Sequence, residues 1–491
     1  MKILLKLQRN KDFWFLLIIS VVFFFLRFPS LFEPDWYGDE GVYQAVGMGI
    51  SSGRILYRDI FDNKPPLLYL FYSFVSSNLF EIKLLSLVFG ILSVLVFFLL
   101  AKKLFQNRGI SFLATSLFAV LFGLPLIEGN IANAENFMLF PNILAGYLML
   151  GYLDGKKSGK NRLFFAGLTL GLSFLIKVVA IFDFAAFFLF MFFLFNRKKV
   201  RDLLNFKTLL NEIKPFYPFI SGFAAPIILV ALYFLANNAF SPFITATFFS
   251  NIGYVNYGNQ FIIPQGLLLL KLFILSLFVI LIYKKRGLSN EFTFISLWFS
   301  FLLFGSFFSQ RPYTHYLLIF LPPFCLMFGL IFLKKKFSKF ALILTVLSLI
   351  LVYSNFTFFN KTVNYYQNFI SFITGNKSVS SYQAFFDSNT PRDYEVASFI
   401  NLYAKEKDNI FVWGNNAQLY YLTEKIPPGK YTVAYHITNY KDGMSNTDKA
   451  LSLKKPEFIV IMPNVPVYPF DLSNYFERAN LDGVLIYEKI Y

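Results

Sequence analysis

Long uncharged apolar runs separated by short basic clusters constrain this chain more than any other feature. Phe13–Phe25, Leu84–Leu100 and Ala341–Tyr353 carry no charged side chain. Runs of this kind, taken with their flanks, read as bilayer-spanning helices. Hydrophobic residues make up 56% of the chain, and most of its 68 phenylalanines lie inside such runs. The net charge of +17 invites a nucleic-acid partner, but its distribution argues against one. Residues 360–491 hold 13 basic and 13 acidic side chains. The excess sits between apolar runs, in Lys102/Lys103/Arg108, Lys156/Lys157/Lys160/Arg162, Arg197/Lys198/Lys199/Arg201, Lys284/Lys285/Arg286 and Lys334/Lys335/Lys336. That is the positive-inside pattern, a record of insertion topology. The single cysteine, Cys325, rules out a disulfide framework. Two histidines, His315 and His436, far apart in sequence, speak against a multi-histidine zinc site.

The charges also orient the chain. Lys2, Lys6, Arg9 and Lys11 precede the first apolar run, and no small-residue cleavage site follows it. A retained signal-anchor with a cytoplasmic N-terminus is expected. Residues 33–65 carry 6 acidic and 3 basic side chains among turn formers, and are expected to form an external loop. Leu67–Phe80 is apolar but short, behind Pro65-Pro66, which suits an interfacial or re-entrant helix better than a span. Further spans are expected near 84–101, 110–127, 137–153, 163–177, 183–195, 216–236, 266–283, 292–309, 316–333 and 340–359. With the first, that gives about 11 transmembrane helices, range 11–13. The segment 163–195 is interrupted by Lys177 and Asp183. An odd count puts 360–491 outside. There Asp393–Lys405 reads as a helix, and Asn409–Trp413, Tyr431–Tyr435, Glu457–Met462 and Val484–Tyr487 read as short strands. The expected fold is an all-α polytopic membrane domain, 1–359, with external loop 33–83, followed by a small external α/β domain, 360–491.

On this topology three external segments gather polar groups beside the membrane. Asp39 and Glu40 follow the first span, near Tyr37 and Tyr43. Either carboxylate can bind an acceptor or act as a base, its proton affinity raised by the other. The same acids also suit a solvated loop, with Asp39 capping a helix through Val42–Ile50. Arg54, Arg58 and Lys64 come next. Lys64 stands before a rigid Pro-Pro step at headgroup depth, where it can pair with a lipid phosphate or simply anchor the loop. Glu128, Asn133, Glu135 and Asn136 resemble the lining of a polar cavity. Lys177 lies inside an apolar segment, either a functional group or one that snorkels to the surface. Arg311, His315 and Tyr316 open a later span on the same expected face. No Walker-type phosphate loop, His-Glu-x-x-His or Gly-x-Ser-x-Gly motif occurs. An external enzyme of this kind needs a donor already activated and delivered through the bilayer.

Gly38-Asp39-Glu40-Gly-Val-Tyr followed by Asp62-Asn-Lys64-Pro65-Pro66-Leu-Leu-Tyr resembles the first external loop of GT-C-type glycosyltransferases. The resemblance is to the branch holding the protein O-mannosyltransferases and the lipid A aminoarabinose transferases. Asn133-Ala-Glu135-Asn-Phe-Met-Leu-Phe-Pro is similar to that branch's second external loop, where several relatives place aspartate instead of Glu135. Gly171 to Lys177, Tyr313-Thr-His315-Tyr316 with Pro322-Pro323, and Ile410-Phe-Val-Trp413-Gly414 are similar to later elements. The likeness covers the first 180 residues well and the rest in patches.

What the resemblance implies is a sugar on a polyprenyl phosphate as donor, and an acceptor lipid, glycan or protein that attacks and inverts the anomeric carbon. It implies Asp39 as the residue that orients or deprotonates the acceptor, with Glu40 beside it. Lys64 would hold the donor phosphate, with Arg58 and Arg311 as further phosphate contacts. Tyr37, Tyr43, Asn133, Glu135, Lys177, His315 and Tyr316 would line the site. No cofactor is implied with certainty. Some GT-C enzymes hold a divalent metal between external carboxylates, but this branch generally does without one, so none is expected. Membrane lipids are expected partners and nucleic acid is not. The location implied is a plasma membrane, with the C-terminal domain external. Two other classes fit the composition: a transporter or flippase of lipid-linked sugars, and a membrane-anchored binding or assembly protein. Ionisable groups clustered at one face without an internal repeat fit the first poorly, and so many spans exceed what an anchor needs.

Overall fold

The computed structural model describes residues 10–153, 159–195, 206–251, 266–309, 311, 313–333 and 335–491. Lys2, Lys6, Arg9, Lys156, Lys157, the 197–201 cluster, Gln310 and Lys334 lie outside the described residues. Every expected span coincides with a helix: Lys11–Arg27, Leu79–Phe105, Arg108–Gly123, Ala134–Tyr152, Gly159–Phe174, Ile181–Phe195, Tyr217–Ala236, Gly266–Lys285, Asn290–Ser306, Tyr316–Ile331 and Ser338–Asn355. Among the described residues, 6 helical segments are both long and apolar enough to cross a bilayer. The chain is a multi-pass membrane protein, and the count of about 11 crossings goes beyond what these 6 establish.

Local chemistry sets the helix ends. The Asn10 side chain accepts from the backbone N–H of Asp12 and Phe13 and starts the first helix. Leu79–Phe105 is 27 residues long, about 40 Å at the α-helical rise. It ends where Gln106 takes a left-handed conformation and Asn107 caps the next helix. Lys102 and Arg108, flanking that turn, both pair with Asp12. The short stretch behind Pro65-Pro66 forms the nine-residue helix Pro66–Phe74, with a proline at its first position, where the missing N–H is harmless.

The chain divides into two compact units. One holds Met1–Phe28, Ser86–Ala231 and Ser250–Asn360; the other holds Pro29–Leu85, Leu232–Phe249 and Lys361–Tyr491. Compactness therefore groups the loop 33–83 with the C-terminal residues, where a division at 359/360 was expected. The reason is a set of direct bonds inside the second unit. The Tyr365 hydroxyl donates to Glu33, that of Tyr394 to Asp35, and the Phe61 N–H to the Lys430 carbonyl.

Within the first unit, Gly159–Phe174 and Tyr217–Ala236 approach until backbone touches backbone. A Cβ on Gly167 would lie 2.0 Å from the Phe219 carbonyl oxygen, and one on Gly222 2.1 Å from that of Phe164. Small residues at such a seam gain close packing where no hydrophobic effect is available. The segment 163–195 is two helices, not one. Gly159–Phe174 stops, Lys177 is extended, and Ile181–Phe195 begins after a short 3-10 turn. Asp183 is buried and fully engaged, taking hydrogen bonds from Trp298 Nε1 at 2.7 Å and Asn142 Nδ2 at 3.0 Å.

The second unit contains a four-stranded sheet. Its strands are β1 (Ile410–Trp413), β2 (Phe458–Ile461), β3 (Tyr475–Leu481) and β4 (Val484–Lys489), in the order β1-β2-β4-β3. β1 and β2 are parallel, and β4 runs antiparallel to both its neighbours. The helix expected at 393–405 is Thr390–Tyr403. The strand expected at Tyr431–Tyr435 is absent, a correction to the sequence reading. Tyr431–Ala434 are buried rather than laddered, and the chain runs into the helix Ala434–Asn439. A short, continuously buried stretch without a partner strand reads like a strand from its composition alone.

Candidate functional site

In the second unit the helix Gly38–Ser51 begins at Tyr37, which makes no side-chain cap and packs edge-on against Trp36. Asp39 and Glu40 are thus in the first turn, where the helix dipole favours acids, and Asp39 is not the N-cap. Consecutive helical residues point about 100° apart, and the two acids separate accordingly. The Asp39 side chain is 40% exposed and that of Glu40 3%. The Tyr43 hydroxyl, one turn on, donates to Asp39 Oδ2 at 2.9 Å.

Lys64 arrives from the following loop. Its Nζ lies 3.6 Å from Asp39 Oδ2, 3.9 Å from Asp62 Oδ2 and 4.7 Å from the centre of the Tyr43 ring. The backbone that carries it is clamped. The Lys64 N–H donates to the Tyr69 hydroxyl at 3.1 Å, and the Tyr57 hydroxyl donates to the Lys64 carbonyl at 2.7 Å. Tyr69 also donates to Asp62 Oδ2 at 2.8 Å. Tyr57 itself has φ +68 and is fully buried, a costly conformation for a non-glycine residue that the surrounding packing holds. The result is one ammonium between two carboxylates and over an aromatic face, on a rigid Pro-Pro support.

Glu40 belongs to another network. The Lys83 ammonium donates to Glu40 Oε1 at 2.8 Å and Glu33 Oε2 at 3.1 Å, and Tyr365 caps Glu33 Oε1 at 2.6 Å. This ion cluster is buried, and it engages Glu40 with Lys83 rather than with Lys64. Arg58 has partners of its own. It forks onto Asp59 with two bonds of 2.8 Å and donates to the Asn237 carbonyl. That bond from Arg58 holds the Asp59 carboxyl below its ordinary range.

Two residues that sequence reasoning passed over stand out in this unit. Asp35 is buried between Gln44 and Tyr394, and burial pushes its pKa up to about 6. His436, from the C-terminal segment, puts Nε2 3.6 Å from Asp62 Oδ1, and burial pushes its pKa down to about 4. A lone acid and a lone histidine carry no sequence signal of such company.

The first unit holds a second cluster. The Lys177 ammonium pairs with Glu135 and lies 4.5 Å from the centre of the Tyr316 ring. Its partner explains a lysine within an apolar segment better than snorkelling does. His315 Nδ1 is 2.9 Å from Glu128 Oε2, and Thr314 donates to the other Glu128 oxygen. The rings of His315 and Tyr316 meet edge to face at 4.6 Å. Asn133 is buried just ahead of the helix that carries Glu135. Arg311 is half-buried, its N–H directed at Ser309 Oγ. Among the described residues no group of three or more His, Cys, Asp and Glu side chains is placed to hold a metal ion.

Residues 64–221 match the family model described as dolichyl-phosphate-mannose-protein mannosyltransferase. No curated protein sequence matches the chain. Among solved structures, ArnT from Cupriavidus metallidurans bound to undecaprenyl phosphate is similar with a TM-score of 0.52 at 12% identity, covering 96% of this chain and 97% of that one. The apo form of the same protein gives 0.51 at 11% identity, over 97% and 98% of the two chains. The archaeal oligosaccharyltransferase AglB from Archaeoglobus fulgidus, in complex with an inhibitory peptide and a dolichol-phosphate, gives 0.49 at 12% identity, over 93% and 70%. The end-to-end likeness to ArnT shows that the chain has a GT-C-like fold, and the family-model match bears out the resemblance carried by the Lys64-Pro65-Pro66 segment.

Proposed function

We propose that the protein is a glycosyltransferase that moves a sugar from a polyprenyl-phosphate carrier to an acceptor on the external face of the membrane, with inversion. The N-terminus is then cytoplasmic and the C-terminal residues external, as the basic clusters require. The observation that carries this reading is the Lys64 ammonium held between Asp39 and Asp62 on a clamped backbone. The half-exposed Asp39 takes a hydrogen bond from Tyr43 and has a cation nearby, which suits a carboxylate that orients an acceptor hydroxyl or amine and takes its proton. As the acceptor bonds to the anomeric carbon, the bond from that carbon to the carrier phosphate breaks, and the electron pair leaves on the phosphate oxygen. Lys64 stabilises that developing charge, an effect worth about 3 kcal/mol by analogy with one preorganised oxyanion donor.

Tyr43 orients Asp39, and the Lys83–Glu40–Glu33 cluster fixes the helix that presents it. Lys177 and Glu135, with Tyr316, form a polar cluster within the first unit. Its part in the reaction, and that of Arg311, is to be read by the release assay below on Lys177→Ala and Arg311→Ala. The ArnT structure was determined with undecaprenyl phosphate, which makes that lipid the first carrier to try. The test is release of polyprenyl phosphate from a panel of polyprenyl-phosphate sugars, offered with a crude acceptor extract to the wild type and to Asp39→Asn. Release from one donor that vanishes in the variant supports the reading. No release from any donor by a folded wild type, with a known transferase active in parallel, would refute it and favour transport of lipid-linked sugars.

A further inference from the structure

His436 lies in the short helix Ala434–Asn439 and is 1% exposed. Phe61, Tyr431, Tyr435 and Tyr440 wall its ring, with centroids 5.3, 6.5, 4.2 and 5.6 Å away. Neither ring nitrogen has a hydrogen-bond partner among the described residues. A buried polar group left unbonded is costly and uncommon, and this one is aimed at the candidate site. Its Nε2 stands 3.6 Å from Asp62 Oδ1, a few tenths of an ångström beyond a hydrogen bond. Asp62 Oδ1 also accepts from the Asn63 N–H, and Oδ2 accepts from Tyr69 and faces Lys64.

We infer that His436 is a positioning residue for the donor phosphate, acting through Asp62. When Lys64 turns from the two carboxylates toward a phosphate, Asp62 is left buried with a weakened cation. A neutral His436 carrying its proton on Nε2 then closes the short gap and donates to Oδ1. Asp62 stays in place, and with it the Tyr69 hydroxyl that holds the Lys64 backbone. The charged groups around the ring are Asp62, Lys64 and Asp39, and the aromatic wall keeps the imidazole uncharged, a hydrogen-bond donor rather than a second cation. The C-terminal segment thus contributes to phosphate binding without touching the ligand. This inference rests on the lipid-phosphate reading above.

The test titrates undecaprenyl phosphate into the full chain in nanodiscs, for the wild type, Lys64→Ala, His436→Phe and His436→Gln. Phenylalanine keeps the ring and removes the donor; glutamine keeps a donor. His436→Phe should bind about tenfold more weakly, the loss of one hydrogen bond to a charged group. His436→Gln should recover most of the affinity. Wild-type affinity in a folded His436→Phe overturns the inference while leaving the function intact. Equal binding, or none, by the wild type and Lys64→Ala overturns the phosphate reading and this inference with it. A second readout covers a His436→Phe that does not fold. The chain has 2 histidines, so ring-15N-labelled protein reports each once His315 is assigned by substitution. Addition of undecaprenyl phosphate should move the Nε2 signal of His436 to a hydrogen-bonded position, and an unmoved signal at saturating ligand overturns the inference.

Discussion

Asp39 and Glu40 are neighbours in the chain whose carboxylates serve unconnected partners: Asp39 meets Tyr43 and Lys64, and Glu40 meets the buried Lys83. Their neutral amides should therefore fail in different ways. Asp39→Asn should lose about 10²- to 10⁴-fold in turnover, the range for a general base, and keep its thermal midpoint. Glu40→Gln should keep the chemistry available but lose stability of about 2 kcal/mol, as a charged partner of Lys83 becomes a neutral one. The loss is limited because Glu33 still pairs with that lysine. Turnover and melting of the two purified variants check this. A Glu40→Gln protein as stable as the wild type but as inactive as Asp39→Asn would reverse the assignment.

Lys64 is the second test. Lys64→Ala should lower turnover about a hundredfold, the size of one preorganised donor, and should weaken undecaprenyl-phosphate binding. Lys64→Arg should rescue little, because a planar guanidinium does not replace a point charge held 3.6 and 3.9 Å from two carboxylates. Tyr69→Phe removes the hydroxyl that both Asp62 and the Lys64 N–H use. It should fall between the wild type and Lys64→Ala in donor affinity, measured by the same titration.

Much of this was legible in the sequence because bilayer physics leaves few options. A long uncharged run must form a helix, and every expected span coincides with one. The Asp39 and Lys64 motifs were legible by resemblance, and the structure does bring those two side chains together. Other features depended on facing. Nothing in Asp-Glu says which acid turns inward, and only the position of Lys83 decides it. His436 looked like an isolated histidine because Asp62, its neighbour in space, lies in a distant loop. β3 was missed because Tyr475–Leu481 is a largely exposed edge strand with Glu477 and Arg478 in its middle. The Asp482-Gly483 pair that links it to β4, with φ of +46 and +83, is a hairpin signal that could have revealed it.

Asp35 and His436 make opposite contributions to stability as pH changes. Burial raises the Asp35 pKa from 3.8 to about 6, so the folded protein binds its proton more tightly than the unfolded chain does. That contribution is present at low pH and is lost as pH rises through 6. Burial lowers the His436 pKa from 6.5 to about 4. Its contribution is present above 6.5 and is lost as pH falls toward 4. Each is worth about 3 kcal/mol at full extent, since a tenfold change in proton affinity corresponds to about 1.4 kcal/mol. The two therefore largely cancel between pH 4 and 6. Asp35→Asn should uncover the histidine, so that its stability relative to the wild type falls as pH is lowered across this window. His436→Phe should do the reverse. Melting midpoints of all three proteins from pH 4 to 7 check the signs, and parallel curves would show that neither group is buried as described.

The glycine seam of the first unit gives a prediction independent of any chemistry. A Cβ on Gly167 would sit 2.0 Å from the Phe219 carbonyl oxygen, well inside contact distance, and the obstacle is backbone that no rotamer change can move. Gly167→Ala must part the helices Gly159–Phe174 and Tyr217–Ala236, and that loses the dispersion contacts that hold apolar helices together in lipid. The expected cost is about 1–3 kcal/mol, the usual range for overpacking, even though alanine is the better helix former by about 1 kcal/mol. Gly287→Ala is the matched control, since nothing lies within 4 Å of a Cβ there. Melting in one detergent should show Gly167→Ala several degrees below the wild type and Gly287→Ala unchanged. If Gly167→Ala melts with the control, the helices do not approach as closely as the structure has them.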